Sequence, residues 1–360
     1  MGNSVRWTED VTVREIPRAT FGAMAWLVLT LVAAATAAWE WRMRSLGLIV
    51  GDLGDDKSAW AVERRKLDSG ENDGVVIVGG SRILFDTNLD VWKEMTGRRP
   101  VQLALPGMSG QRFLRDIADN SGFAGLVLID VTPAQFFREG PGNAAFEGVL
   151  DEWNREGPAK RAGHLIGQFL ERHLAFLDDQ YTLTSLIDQV DVANRGKITG
   201  PYLTPWKLSE SYENRQRVLW REIETNERLR RHAILVWNVR SRPPPAEAVI
   251  ARVCADVRDS VAKIRARGGD VVIIRPPSTG AYYAREQANF PRVTTWERLL
   301  RESGTFGIHF EDYPEMQGLE LPETSHMTRE DAARFTRAYV AVLMREMPGL
   351  RKAAAAGAAP

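Results

Sequence analysis

The stretch VVIVGGSR at residues 75–82 decides the fold. Four consecutive apolar, β-branched residues bounded by glycines read as a short strand buried on both faces. Gly79 and Gly80 then let the backbone turn sharply and approach a neighbour closely. Ser81 follows at the top of that strand, where a nucleophile is commonly displayed, and a serine there needs a base. Far downstream, ETSHMTRED (residues 323–331) places Glu323 three residues before His326. A histidine oriented by a carboxylate is the base such a serine requires. Thr328 and Asp331 form a T-x-x-D capping signal, which puts His326 just outside a helix N-terminus.

Working outward, similar apolar runs recur: VQLALP (101–106), LVLIDV (126–131) and VVIIRP (271–276), with a weaker fifth, GIHFEDY (307–313). Helical stretches alternate with them, one from about Asn88 and another, GQRFLRDIAD, that Ser109 is placed to cap. Strands and helices in alternation predict an α/β fold, a three-layer αβα sandwich around a central parallel sheet. Between the third and fourth runs lies a long segment, about residues 139–268, rich in Trp, Tyr, Arg and Glu. Its pieces RAGHLIGQFLERHLAFL (161–177) and YENRQRVLWREIETNERLRRHAILVW (212–237) have helical apolar spacing. A helical insertion beside the sheet and a set of ordinary covering helices both fit this pattern.

Residues 19–39 carry no charge, about the ~20 residues needed to cross a bilayer. Trp39 and Trp41 fall where an aromatic belt would sit. Ala35, Thr36 and Ala37 also resemble a signal-peptidase site. The run exceeds the ~7–15 residues of a secretory h-region, and Glu9, Asp10 and Glu15 precede it, which favours an uncleaved anchor. Arg6, Arg14 and Arg18 on one side balance Arg42, Arg44 and Lys57 on the other, so charge does not orient it. The expected layout is a tail (1–18), a transmembrane anchor (19–41), a stalk with a short helix (42–73), the sheet domain (74–346) and a low-complexity tail (347–360).

Lys plus Arg equals Asp plus Glu at 47 each, so no overall field favours nucleic acid. Cys254 is the only cysteine and the five histidines are scattered. With no HExxH, this gives no metal-binding constellation, and no cofactor is expected. Neither G-x-G-x-x-G nor a P-loop lysine follows the first strand, which argues against nucleotide binding.

These blocks together resemble the SGNH (GDSL-like) hydrolase superfamily, over about residues 73–137 and 265–346. The resemblance implies a flavodoxin-like sheet with Ser81 as nucleophile, His326 as base and Glu323 in the place of the family's aspartate. It implies Gly107, in LALPGMSG, as an oxyanion-hole glycine. The family's third block offers an asparagine donor; here LIDVTPAQFF has none, and Asp130 stands nearest in position. The Thr132 hydroxyl or the Gln135 amide would donate instead, or the hole would rest on the N–H groups of Ser81 and Gly107. Among basic residues, Arg82 and Arg275 sit at the strand ends where open α/β sheets bind ligands, and are read as contacts for an acidic or hydroxyl-rich ligand. Arg285 and Arg292 read as local salt-bridge formers or as further ligand contacts, and Tyr282, Tyr283 and Trp296 as sugar-stacking or packing residues. His309 reads as structural.

A membrane-tethered domain of this kind resembles the alginate O-acetylation type of polysaccharide O-acetyltransferase. The resemblance implies a single-pass inner-membrane protein with a periplasmic domain. It would transfer or hydrolyse acyl groups of a polysaccharide through acyl-Ser81, supplied by a membrane-bound acyltransferase partner. The other expectation, from the missing asparagine, is an inactive scaffold that binds polysaccharide or an assembly partner.

Overall fold

The computed structural model describes residues 18–138, 144–182, 207–239 and 243–350. The expected tail 1–18, up to residue 17, the residues 351–360 of the C-terminal tail, and parts of the expected insertion (139–143, 183–206, 240–242) lie outside the described residues. The chain divides into two units, Met1–Leu48 and Ile49–Pro360.

Among the described residues, the first unit contains one helix, Arg18–Arg44, of 27 residues. Its Phe21–Arg44 portion has a mean hydropathy of 1.9 with none of its window buried. At 1.5 Å per residue a helix of this length reaches roughly 40 Å, enough to cross the ~30 Å hydrocarbon core. The sequence reading of 19–41 falls within it.

The second unit is built on five parallel strands: β1 (Val75–Val78), β2 (Val101–Gln102), β3 (Leu126–Asp130), β6 (Asp270–Arg275) and β7 (Phe306–His309), in the order β2-β1-β3-β6-β7. β4 (Ser209–Ser211) and β5 (Arg217–Leu219) pair separately from this sheet. The side-chain period of two explains why the strands read as unbroken apolar runs. Val76 and Val78 of β1 join Val127 and Ile129 of β3 in one core, with Phe113, Val253 and Trp296 from covering helices. Val75 and Ile77 join Leu128 and Ile274 in the other, with Trp92, Phe335 and Tyr339. Each face therefore needs its own layer of helices. Helices Gly110–Asn120 and Glu247–Ala266 cover the first, Leu89–Thr96 and Arg329–Glu346 the second. The run 101–106 is strand only at Val101–Gln102. Ser109 precedes the helix Gly110–Asn120, but its side chain makes no capping bond.

Two parts of the chain differ from the sequence reading. The short helix expected in the stalk is present as Lys57–Ser69, but its Trp60, Ala61 and Arg64 are buried. The Trp60 indole donates to the Leu103 carbonyl at 3.0 Å, so this helix belongs to the sheet's covering layer. Within the expected insertion, residues 209–219 are not helical. They form the antiparallel hairpin of β4 (Ser209–Ser211) and β5 (Arg217–Leu219). Asn214 and Arg215 at its turn both have φ near 58°, a conformation that asparagine tolerates and helices exclude. The helices Ala144–Arg155, Pro158–Glu171, Arg221–Thr225 and Glu227–Val239 occupy the rest of its described part.

Candidate active site

The order β2-β1-β3 reverses direction between β1 and β3. In open α/β sheets, ligands gather in the crevice beyond the strand ends at such a switch point. The turn after β1 is packed too tightly for side chains. A Cβ on Gly79 would lie 1.8 Å from Asp130 Oδ1, and one on Gly80 would lie 2.9 Å from Gln135 Oε1 and 3.0 Å from the Met108 carbonyl oxygen. The chain then enters the short helix Ser81–Phe85, in which Arg82, Ile83, Leu84 and Phe85 are buried while Ser81 is only half-buried.

The second half of the site is the loop before helix Arg329–Glu346. Thr324 has φ of 74°, an uncommon state for a β-branched residue and a form of strain that clusters at functional sites. The turn brings Glu323 back under His326: Glu323 Oε1 accepts from the His326 backbone N–H at 2.5 Å and lies 2.8 Å from its Nδ1. The His326 Nε2 lies 2.8 Å from Ser81 Oγ. An ionised carboxylate only accepts, so Nδ1 carries the proton and Nε2 is the acceptor facing the Ser81 hydroxyl. Glu323 is 0% and His326 1% exposed, and the Phe85 ring lies 4.5 Å from the imidazole. As expected, Thr328 caps the following helix, accepting from the Asp331 N–H.

Three supports of this loop were not read from the sequence. The Trp237 indole N–H donates to Glu323 Oε2, and its ring packs edge-on against His326 at 5.9 Å. Asp86, five residues after Ser81, accepts from the Met327 N–H at 2.9 Å. Burial holds the Asp86 carboxyl well above its usual range, and its second oxygen has no hydrogen-bond partner. Arg82 Nε donates to Ser325 Oγ at 3.3 Å. A single sequence carries no signal for the Trp237 contact, because ILVW in a helix reads as packing. Asp86 stands close enough to Ser81 to have been singled out.

Other expected site residues are placed differently. Arg82 and Arg275 are buried and share Glu286, at 3.0 Å from Arg82 Nη2 and 2.7 Å from Arg275 Nη2. Ser278 donates to the same carboxylate at 2.5 Å. Burial opposes its charge, yet Arg275 and Arg82 beside it hold the Glu286 carboxyl below the usual range. Both guanidiniums, read from the sequence as contacts for a ligand, pair with this internal carboxylate. Arg285 bonds Asn238, and Arg292 pairs with Asp312, Glu311 and Glu297. His309 is buried, its pKa pushed down to about 3 by burial and by Arg275 and Arg292.

In the third block, Asp130 Oδ1 accepts from the Gly80 N–H at 2.7 Å and Oδ2 from the Thr132 hydroxyl at 2.9 Å. Asp130 thus braces the turn from behind. Thr132, expected as an oxyanion donor, directs its single hydroxyl proton to Asp130 here. Gly107, with φ of 75°, is exposed in the loop after β2. Its neighbour Met108 closes against Gly80. Gln135 Oε1 is buried beside Gly80 with no hydrogen-bond partner.

The arrangement joins a half-buried hydroxyl, an imidazole base and a buried carboxylate in one line of hydrogen bonds. It can remove the hydroxyl proton as the oxygen attacks an electrophile. No protein-family model and no curated protein matches the chain.

Proposed function

We propose that the chain is a membrane-tethered serine acyltransferase or esterase of the SGNH type, acting outside the cytoplasm on O-acyl groups of a cell-envelope or secreted polysaccharide. The observation that carries the reading is the continuous contact from Ser81 through His326 to Glu323, at 2.8 Å for each ring nitrogen. Ser81 Oγ attacks the acyl carbonyl while its proton passes to His326 Nε2. The tetrahedral adduct collapses, the C–O bond to the leaving alcohol breaks, and that oxygen takes the proton from His326. Acyl-Ser81 is then cleaved by water or by a sugar hydroxyl activated in the same way. A membrane-bound acyltransferase partner would supply the acyl group, as the family resemblance implies.

With the Thr132 hydroxyl turned to Asp130, the backbone N–H groups of Ser81 and Gly107 are the donors assigned to the developing oxyanion. One missing donor is worth about 2.7–4 kcal/mol of transition-state stabilisation, so slow turnover is expected. The same observation favours a second reading, a catalytically inactive scaffold that binds polysaccharide or an assembly partner. A serine-reactive fluorophosphonate applied to the purified full-length chain separates them. Labelling that disappears in Ser81→Ala supports the enzyme; equal labelling of both proteins, or none of either, supports the scaffold.

A further inference from the structure

The helix Pro158–Glu171 turns its apolar side away from the protein. Leu165, Ile166, Phe169 and Leu170 share one helical face, and are 65%, 61%, 63% and 40% exposed. No residue of this helix is buried. Its polar side faces inward instead: His164 and Gln168, with Arg172, line a cavity of about 200 Å³ against the helix Lys57–Ser69. Large apolar side chains grouped on an outer face mark a surface that meets a partner or a lipid phase.

The way this helix is held points to lipid. The Glu171 carbonyl accepts from the Gly51 N–H at 2.9 Å, and the Glu171 carboxylate from the Gly54 N–H at 2.9 Å. Gly51 is seven residues (51 − 44) beyond Arg44, the last residue of the long apolar helix. Seven residues of chain span at most about 25 Å. Ile49 and Val50, in that same connection, are also exposed, at 39% and 38%. An apolar helix face is thus pinned by hydrogen bonds to the segment that follows directly on a helix long and apolar enough to cross a membrane. The charges around it are already paired, Lys160 with Glu152, Arg161 with Glu156 and Arg172 with Glu213, so attraction to anionic headgroups is not what the surface offers.

We propose that the helix Pro158–Glu171 lies in the lipid interface, with Leu165, Ile166 and Phe169 among the upper acyl chains, as a second membrane contact beside the anchor. This rests on the anchoring of the chain by Phe21–Arg44 and is independent of the serine chemistry.

The full-length chain, reconstituted in phosphatidylcholine vesicles, tests it. Cys254 is fully buried, so a thiol-reactive bimane reports introduced cysteines at Ile166→Cys, Ala33→Cys and Arg337→Cys. The bimane at 166 should be quenched at least about twofold by lipids carrying a shallow nitroxide, unchanged in 1 M NaCl, while that at 337 is not quenched. The bimane at 33 should be quenched by a deep nitroxide. Quenching at 33 without quenching at 166 overturns the interfacial helix alone; absence of both overturns the anchor and the inference with it. Loss of the 166 signal in high salt would overturn it in favour of electrostatic adsorption. Disulfide cross-linking between copies through position 166, without lipid quenching, would overturn it in favour of self-association.

Discussion

The Trp237 indole N–H is bonded to Glu323 Oε2, the oxygen not used by His326, across 86 residues of sequence. The carboxylate that orients the imidazole is therefore itself held from the far side by the helix Glu227–Val239. Each Glu323 oxygen has a separate task, one on the histidine and one on the tryptophan.

Glu323→Gln should lower turnover by orders of magnitude with the fold intact, because an amide no longer dictates which ring nitrogen carries the proton. Trp237→Phe keeps the ring packing and removes only the donor. A fall in kcat of about tenfold with KM unchanged is expected, the scale of a lost positioning bond to a charged group. Steady-state kinetics on an acetyl ester would decide both. Wild-type rates in Glu323→Gln would remove the carboxylate from the mechanism.

Burial pushes Asp130 up to about 6, against the Gly80 N–H, the Thr132 hydroxyl and the Arg82 and Arg275 charges that favour its ionisation. Its folded pKa thus exceeds the unfolded 3.8. Between those values the native state binds more protons, so this group's contribution to stability is greatest below pH 3.8 and declines as pH rises to about 6. The cost at neutral pH is about 3 kcal/mol. Asp130→Asn keeps an acceptor for Gly80 and has no charge to bury. Relative to wild type, it should gain stability in urea melts as pH rises from 4 to 8. A difference that stays constant over that range would contradict this. No increase in esterase rate is expected from the change, since this side chain serves the turn.

Glu286 is the single carboxylate between two buried guanidiniums. Removing one partner of a buried pair strands the other charges, and Glu286→Gln should destabilise the domain by about 3–5 kcal/mol. The sign with pH is opposite to that of Asp130. Glu286 has a lowered pKa, so its contribution is present above the usual 4.5 and is lost as pH falls through its folded value. Melts of the variant and wild type should converge in acid. Equal stability at pH 7 would show the cluster to be dispensable.

A periplasm-dependent reporter fused after Pro360 should be active in cells, and a cytoplasm-dependent one inactive. The reverse pattern would remove the polysaccharide substrate from consideration.

Much of this site was legible because its residues are close in sequence to strong local signals. VVIV, LVLID and VVIIR are buried on both faces and so read as strands without tertiary information. Glu323, His326 and the Thr328 cap lie within six residues of one another. What was not read has two causes. Nothing near Arg82 announces Glu286, 204 residues away, whereas Thr132 has Asp130 two residues before it and only the folded backbone turns its hydroxyl that way. The hairpin Ser209–Leu219 was hidden because its apolar spacing mimics a helix, and the left-handed turn at Asn214 becomes evident only in the folded chain.

The 245 residues between Ser81 and His326 also set an order of events during synthesis. At roughly 5–20 residues per second, the serine emerges some 12–50 s before its base does. Throughout that interval the hydroxyl has no proton acceptor and is chemically ordinary. On the proposed mechanism, reactivity would be switched on only by the closing of the loop at Glu323–His326 against the finished sheet, so a partly made or partly unfolded chain would not acylate itself or its neighbours.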